Sequence, residues 1–153
     1  MPRSGPWRRA ATSLKGVAER VKVLVGNARD ADTKGTGWFI GFSDWARVAG
    51  SDLLHVPQDL PLSGLCVKWF DHPTGHDSGS DKPRSEGRTV SILVSEGSLF
   101  RIEFCEAPDF QAKAVESTVL KRHGDFAAWG AGLFHRWHCE SRSTILTLRW
   151  NGG

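Results

Sequence analysis

The chain has 153 residues, of which 39% are hydrophobic and 24% charged, enough to bury the core of one globular domain. Its formal charge of +3 is carried by the first fifteen residues, where Arg3, Arg8, Arg9 and Lys15 stand without an acid, leaving −1 for residues 16–153. A near-neutral body excludes the one-faced basic field of a nucleic-acid binder, and no stretch approaches the roughly 18 apolar residues that cross a bilayer as a helix.

Residues 1–19 read as a basic, disordered tail, and residues 20–151 as a single domain. Residues 7–20 have the pattern for at most a turn or two of helix. No apolar run follows Arg8-Arg9, so neither secretion nor twin-arginine export is expected. From residue 20 onward, short alternating runs are broken by Gly, Pro, Asp and Ser, the habit of a sandwich or barrel. Strands are expected at 21–25, 37–42 (Trp38, Ile40 and Phe42 on one face), 66–70, 89–94, 99–104, 115–120, 126–129, 135–139 and 143–150. A short helical turn is expected at 44–48. Segments 26–36 and 73–88 are polar and rich in Gly, Asp and Ser, so they read as loops. Val90, Ile92 and Val94 alternate on one face, and after Ser95-Glu-Gly97 so do Phe100, Ile102 and Phe104. The two runs read as a hairpin. Cys66, Cys105 and Cys139 are odd in number and lack a C-x-x-C, which argues against a disulfide framework or structural zinc and suits a reducing, cytoplasmic setting.

The densest signal runs from Gly124 to Cys139: a strand, a bend at Gly130 and Gly132 suited to positive φ, and a strand opening on His135. Along that strand Trp137 and Cys139 share the face of His135, while Arg136 and His138 point away. The stretch resembles the second motif of the cupin superfamily, G-x5-P-x-G-x2-H-x3-N, with Gly130 at the proline and Cys139 at the asparagine. The resemblance covers roughly residues 20–150. It implies an all-β double-stranded β-helix, the jelly-roll barrel, with little helix and a ligand or metal site in its lumen.

The family's first motif, G-x5-H-x-H-x(3,4)-E-x6-G, is matched less completely. Counted forward from Gly64, Phe70 and His72 occupy the histidine positions and His76 the glutamate position. Counted backward from Gly97, Val90 falls at the glutamate, because Asp77 to Arg88 looks inserted. The forward register implies a divalent metal (zinc, iron, nickel, manganese or copper) held by His72, His76 and His135. The backward register leaves only His72 and His135. Lys68 shares parity with Phe70 and His72, and inside a barrel it would suit an anionic ligand such as a carboxylate. The safer assignment turns Val67 and Trp69 inward and Lys68 to solvent, unless a bulge at Asp71-His72-Pro73 intervenes.

The seven Trp and eight Phe, with no Tyr, either line a cavity or fill the taper of a packed barrel. Here Trp129, Phe134, Trp137 and Cys139 join Lys68 as candidate pocket residues. Asp125 beside His123 reads as turn chemistry. The resemblance thus implies a barrel that binds a small polar organic molecule. With a metal it would perform isomerisation, dioxygen-dependent cleavage or lyase chemistry; without one it would be a ligand-sensing or structural barrel. It also implies a homodimer.

Overall fold

β-branched and aromatic residues in alternating runs, cut by glycine and Asx turns, give nine strands among the described residues. They are β1 (Trp7–Arg9), β2 (Val23–Asn27), β3 (Ser63–His72), β4 (Arg88–Leu93), β5 (Leu99–Cys105), β6 (Glu116–Leu120), β7 (Asp125–Trp129), β8 (Phe134–Ser141) and β9 (Ser143–Asn151). The computed structural model describes residues 7–9 as backbone, and 22–47, 51–59, 61–79, 82–111 and 115–151 in full. Helix among the described residues is confined to single 3-10 turns at Ala28–Asp30 and Asp44–Ala46. Among the described residues no helix is long and apolar enough to cross a membrane.

All pairings between strands are antiparallel. One sheet has the order β1-β2-β7-β4-β9-β3 and the other β6-β5-β8. The chain changes sheet between β4 and β5, β6 and β7, β7 and β8, and β8 and β9. After β3 it changes sheet again, and residues 75–78 run against β8. There Gly75 N–H donates to Cys139 O (2.8 Å), Cys139 N–H to His76 O (2.8 Å) and Ser78 N–H to Trp137 O (3.0 Å), and Asp77 bridges His138. This rudimentary strand completes the smaller sheet. The result is an all-β double-stranded β-helix, a cupin-like jelly roll.

The large sheet is buried on both faces. Between the sheets lie Val23, Val25, Leu93, Phe100, Ile102, Phe104, Leu120, Trp129 and Ile145, among others. Against the outer face, Leu53 and Leu54, with Phe39 and Ile40, cover Leu24, Val90, Ile92, Phe126, Ala128 and Trp150. The Phe39 and Phe126 rings lie 5.4 Å apart. This cover ends before β3, whose outward Leu65, Val67 and Trp69 remain exposed.

Several expectations are corrected. Residues 37–42 form no strand: they belong to the outer cover, with Trp38 and Phe42 exposed and Gly37 in the left-handed region (φ +81°). β4 and β5 form no hairpin, because the turn through Gly97 carries the chain from one sheet to the other. Alternation shows that a strand has two faces, but not that its sequence neighbour is its partner. Trp7–Arg9 is extended rather than helical; the rest of 7–20 and most of the basic tail lie outside the described residues. Gly132 has the expected positive φ (+93°) but Gly130 does not. At Gly124 (φ +93°) glycine is required twice over, since a Cβ would meet Asn27 Oδ1 at 2.8 Å. Beyond it, Asp125 accepts the N–H groups of Lys121 and Arg122 at 3.0 and 2.8 Å, which closes the β6–β7 turn.

If residues 38–47 and 51–56 are an integral layer, Leu54→Ala costs about 2–5 kcal/mol in urea unfolding. A cost below about 0.5 kcal/mol, the level of surface substitutions, would show that the layer is dispensable.

Candidate functional site

The register of the large sheet dictates what faces the lumen. Cys66, Arg149, Thr89 and Trp129 lie directly opposite one another across β3, β9, β4 and β7, forming one rung. Lys68, Thr147, Ser91 and Ala127 form the next, and Phe70, Ile145 and Leu93 the third. Across the lumen stand Phe100, Ile102, His135 and Trp137 from β5 and β8. A cavity of about 340 Å³ separates these walls, and Lys82, Pro83 and Arg84 enter it from the loop after β3. Among the described residues no aspartate or glutamate lines it.

The face of β3 therefore differs from the safer expectation. Val67 and Trp69 are 60% and 62% exposed, and Lys68, Phe70 and His72 face the cavity without a bulge at Asp71–Pro73. The irregularity of β3 lies earlier, between Ser63 and Cys66, where Gly64 has φ +63°. Asp71 points outward and accepts a hydrogen bond from Thr144 Oγ1 (2.7 Å).

The three histidines are not brought together. His72 and His76 meet, with Nδ1 to Nδ1 at 3.0 Å, inside a cage formed by Phe70, Phe100 and Trp137. Such a contact takes one proton between two nitrogens. Burial first, then the charges of His76, Lys68 and Lys82, pull the His72 pKa down to about 4 against a smaller opposing pull from Asp71. His135 lies in another niche, its ring 5.0 Å from that of Trp129. There Ser85 Oγ accepts the Trp129 indole N–H (3.0 Å) and is hydrogen-bonded to His135 Nδ1 (3.2 Å). Burial, then Lys82, Arg149 and Lys68, hold the His135 pKa down to about 4. Both rings are neutral near pH 7.

A metal centre needs three or more convergent, deprotonated donors. Among the described residues no group of three or more His, Cys, Asp or Glu is placed to hold a metal ion. The Nδ1 atoms of all three histidines are already hydrogen-bonded. These residues do not fit a three-ligand metal site.

Of the candidate pocket residues, Lys68, Trp129 and Trp137 line the cavity. Phe134 lies elsewhere, under the Arg84 guanidinium (5.3 Å). Cys139 is fully buried in the core, its Sγ 3.1 Å from Ser141 O. Arg149, Lys82, Thr89, Ser91 and Thr147 escaped the sequence reading. In 143–150 the alternation offers Leu146, Leu148 and Trp150 as the apolar face, and these pack beneath the outer cover, so Arg149 faces inward. A larger recess of about 600 Å³ lies on the outer face of β5 and β8, where the pairs Arg101–Glu140 and Arg136–Glu103 use up its cations and leave Asp77 and Asp109 as its net charge.

No protein-family model matches the sequence, and no curated protein is significantly similar to it. Among solved structures, Streptomyces albus HEPD with substrate 2-hydroxyethylphosphonate and Fe(II) bound is similar at a TM-score of 0.45 and 15% identity. The match covers 58% of this chain and 18% of that one.

The depressed histidines set a pH dependence. With folded pKa values near 4 and ordinary values of 6.5, the native state binds fewer protons than the unfolded one in between. Their contribution to stability is complete above pH 6.5 and is lost as the pH falls toward 4. Thermal melts across that window should show Tm falling with pH, and the double variant His72→Gln/His135→Gln should fall less steeply. An unchanged slope would mean that neither ring is held neutral by the fold.

Proposed function

We propose that the protein is a binding barrel that takes a small polar organic molecule into its lumen. The observation that carries this reading is the cavity itself. At about 340 Å³ it falls within the range of roughly 300–1,000 Å³ typical of small-molecule sites. It also has their composition: aromatic walls from Trp129, Trp137, Phe70 and Phe100, and a few converging polar groups from Thr89, Ser91, Thr147, Lys68 and Arg149. The Ser91–Thr147 hydroxyl pair (2.9 Å) lies in the middle of the floor, where a ligand would compete for it.

Binding is better supported than a reaction. Among the described residues no carboxylate lines the cavity to act as a base, Cys139 is sealed in the core, and the two cavity histidines, with pKa values held down to about 4, are weak bases. Without a fitting donor set, no metal-dependent step is assigned. The reading is therefore the metal-free, ligand-sensing form of the barrel.

Ser91→Phe tests it, because the ring would fill the lumen from a central strand. In a thermal-shift panel of small polar metabolites, ligands that raise the wild-type Tm should lose their effect in Ser91→Phe while circular dichroism shows the fold retained. At about 100 times Kd, bound ligand contributes about 2.7 kcal/mol, which is easily resolved. Equal shifts in both proteins would place binding outside the barrel.

A further inference from the structure

We infer that the lumen is built for a small organic or inorganic anion carrying two or more negative charges, anchored by Lys68, Lys82 and Arg149. The inference rests on the lumen being the ligand site and adds the ligand's chemical class.

Lys68 and Arg149 stand on neighbouring rungs of β3 and β9, and Lys82 reaches the same cavity from the loop. None of the three is paired with a carboxylate among the described residues. Elsewhere Lys22, Lys34, Arg88, Arg101, Arg122 and Arg136 each meet one. The cavity gathers these three cations, with Arg84 also in its lining, and no described carboxylate lines it to offset them. They lie instead on apolar or hydroxyl surfaces: the Lys82 ammonium is 5.5 Å from the Trp137 ring centre, the Lys68 ammonium is 5.3 Å from that of Phe70, and Arg149 Nε donates to Thr89 Oγ1 at 3.3 Å. That last bond holds the guanidinium by one edge and leaves its terminal nitrogens for a ligand, the geometry that favours bidentate recognition of carboxylate or phosphate.

The three charges also act on one another. Burial, then Lys68 and Arg149, hold the Lys82 pKa below its ordinary value, and the same cations lower that of His135. Close like charges in a partly desolvated cavity repel, and an entering anion converts that repulsion into attraction. A single negative charge offsets one of the three cations, whereas a dicarboxylate or a phosphoryl group offsets about two and can engage more than one anchor at once. Cationic ligands and free divalent metals are disfavoured by the same field.

Isothermal titration of the full chain, pretreated with a chelator, separates the possibilities. The probes are inorganic phosphate, succinate and the uncharged analogue succinamide, titrated at low and high salt. Phosphate or succinate should bind at least about tenfold more tightly than succinamide (about 1.4 kcal/mol), and more weakly at high salt. Arg149→Gln and Lys68→Met should each weaken anion binding about tenfold or more. Without ligand, Lys68→Met should melt at or above the wild-type temperature, because it removes repulsion; this readout holds apart from binding. Tighter binding of phosphate than succinate would identify a phosphoryl ligand, and the reverse a dicarboxylate. Succinamide binding as well as succinate, with both abolished by Ser91→Phe, would overturn the anion inference while leaving the lumen as the ligand site. Anion binding that survives Ser91→Phe would overturn both. No binding of either anion at millimolar concentration would overturn the anion inference.

Discussion

Burial of the large sheet on both faces is the constraint on which the site depends. Strands β4 and β9 keep Val90, Ile92, Leu146, Leu148 and Trp150 beneath the cover of residues 38–47 and 51–56. Their place in the fold is thus secured from outside, and their inner faces are free to carry Thr89, Ser91, Thr147 and Arg149. Apolar packing between the sheets is concentrated around Phe100, Phe104, Leu120, Leu133 and Trp129. A barrel relying on its interior alone would need those polar positions for core, because hydrophobic burial is the main favourable term.

The same division explains what the sequence disclosed. Eight of the nine strands were visible as period-2 runs, and the Gly124–His135 stretch marked the turn and the strand that border the lumen. The choice of face was not visible. In a strand covered on one side, apolar residues identify the inside; in β9 both sides are covered, and the more hydrophobic side is the outer one. β3 misled for the opposite reason. Its outer face lies beyond the cover, so Val67 and Trp69, the more apolar pair, are solvent-exposed while Lys68 looks inward. Partner choice was equally hidden, since the turn through Gly97 has a hairpin's length but joins two sheets.

Electrostatics gives the lumen its character. His72 and His76 share a single proton position, and His135 is committed to Ser85, so the histidines act as neutral wall rather than as a cluster of ligands. The charge comes from Lys68, Lys82 and Arg149, which are remote in sequence and each unremarkable on its own strand or loop. Only the register of β3 against β9 and the inward turn of the loop through Lys82 bring them to one cavity.

The most direct measurement is an NMR titration with inorganic phosphate and succinate that follows the Arg149 Nε–H together with the Trp129 and Trp137 indole signals. A ligand held in the lumen shifts all three saturably, with one shared affinity, and leaves the Arg101 and Arg136 side chains of the outer recess unmoved. Shifts confined to Arg101 and Arg136, with the lumen signals unchanged, would contradict the account.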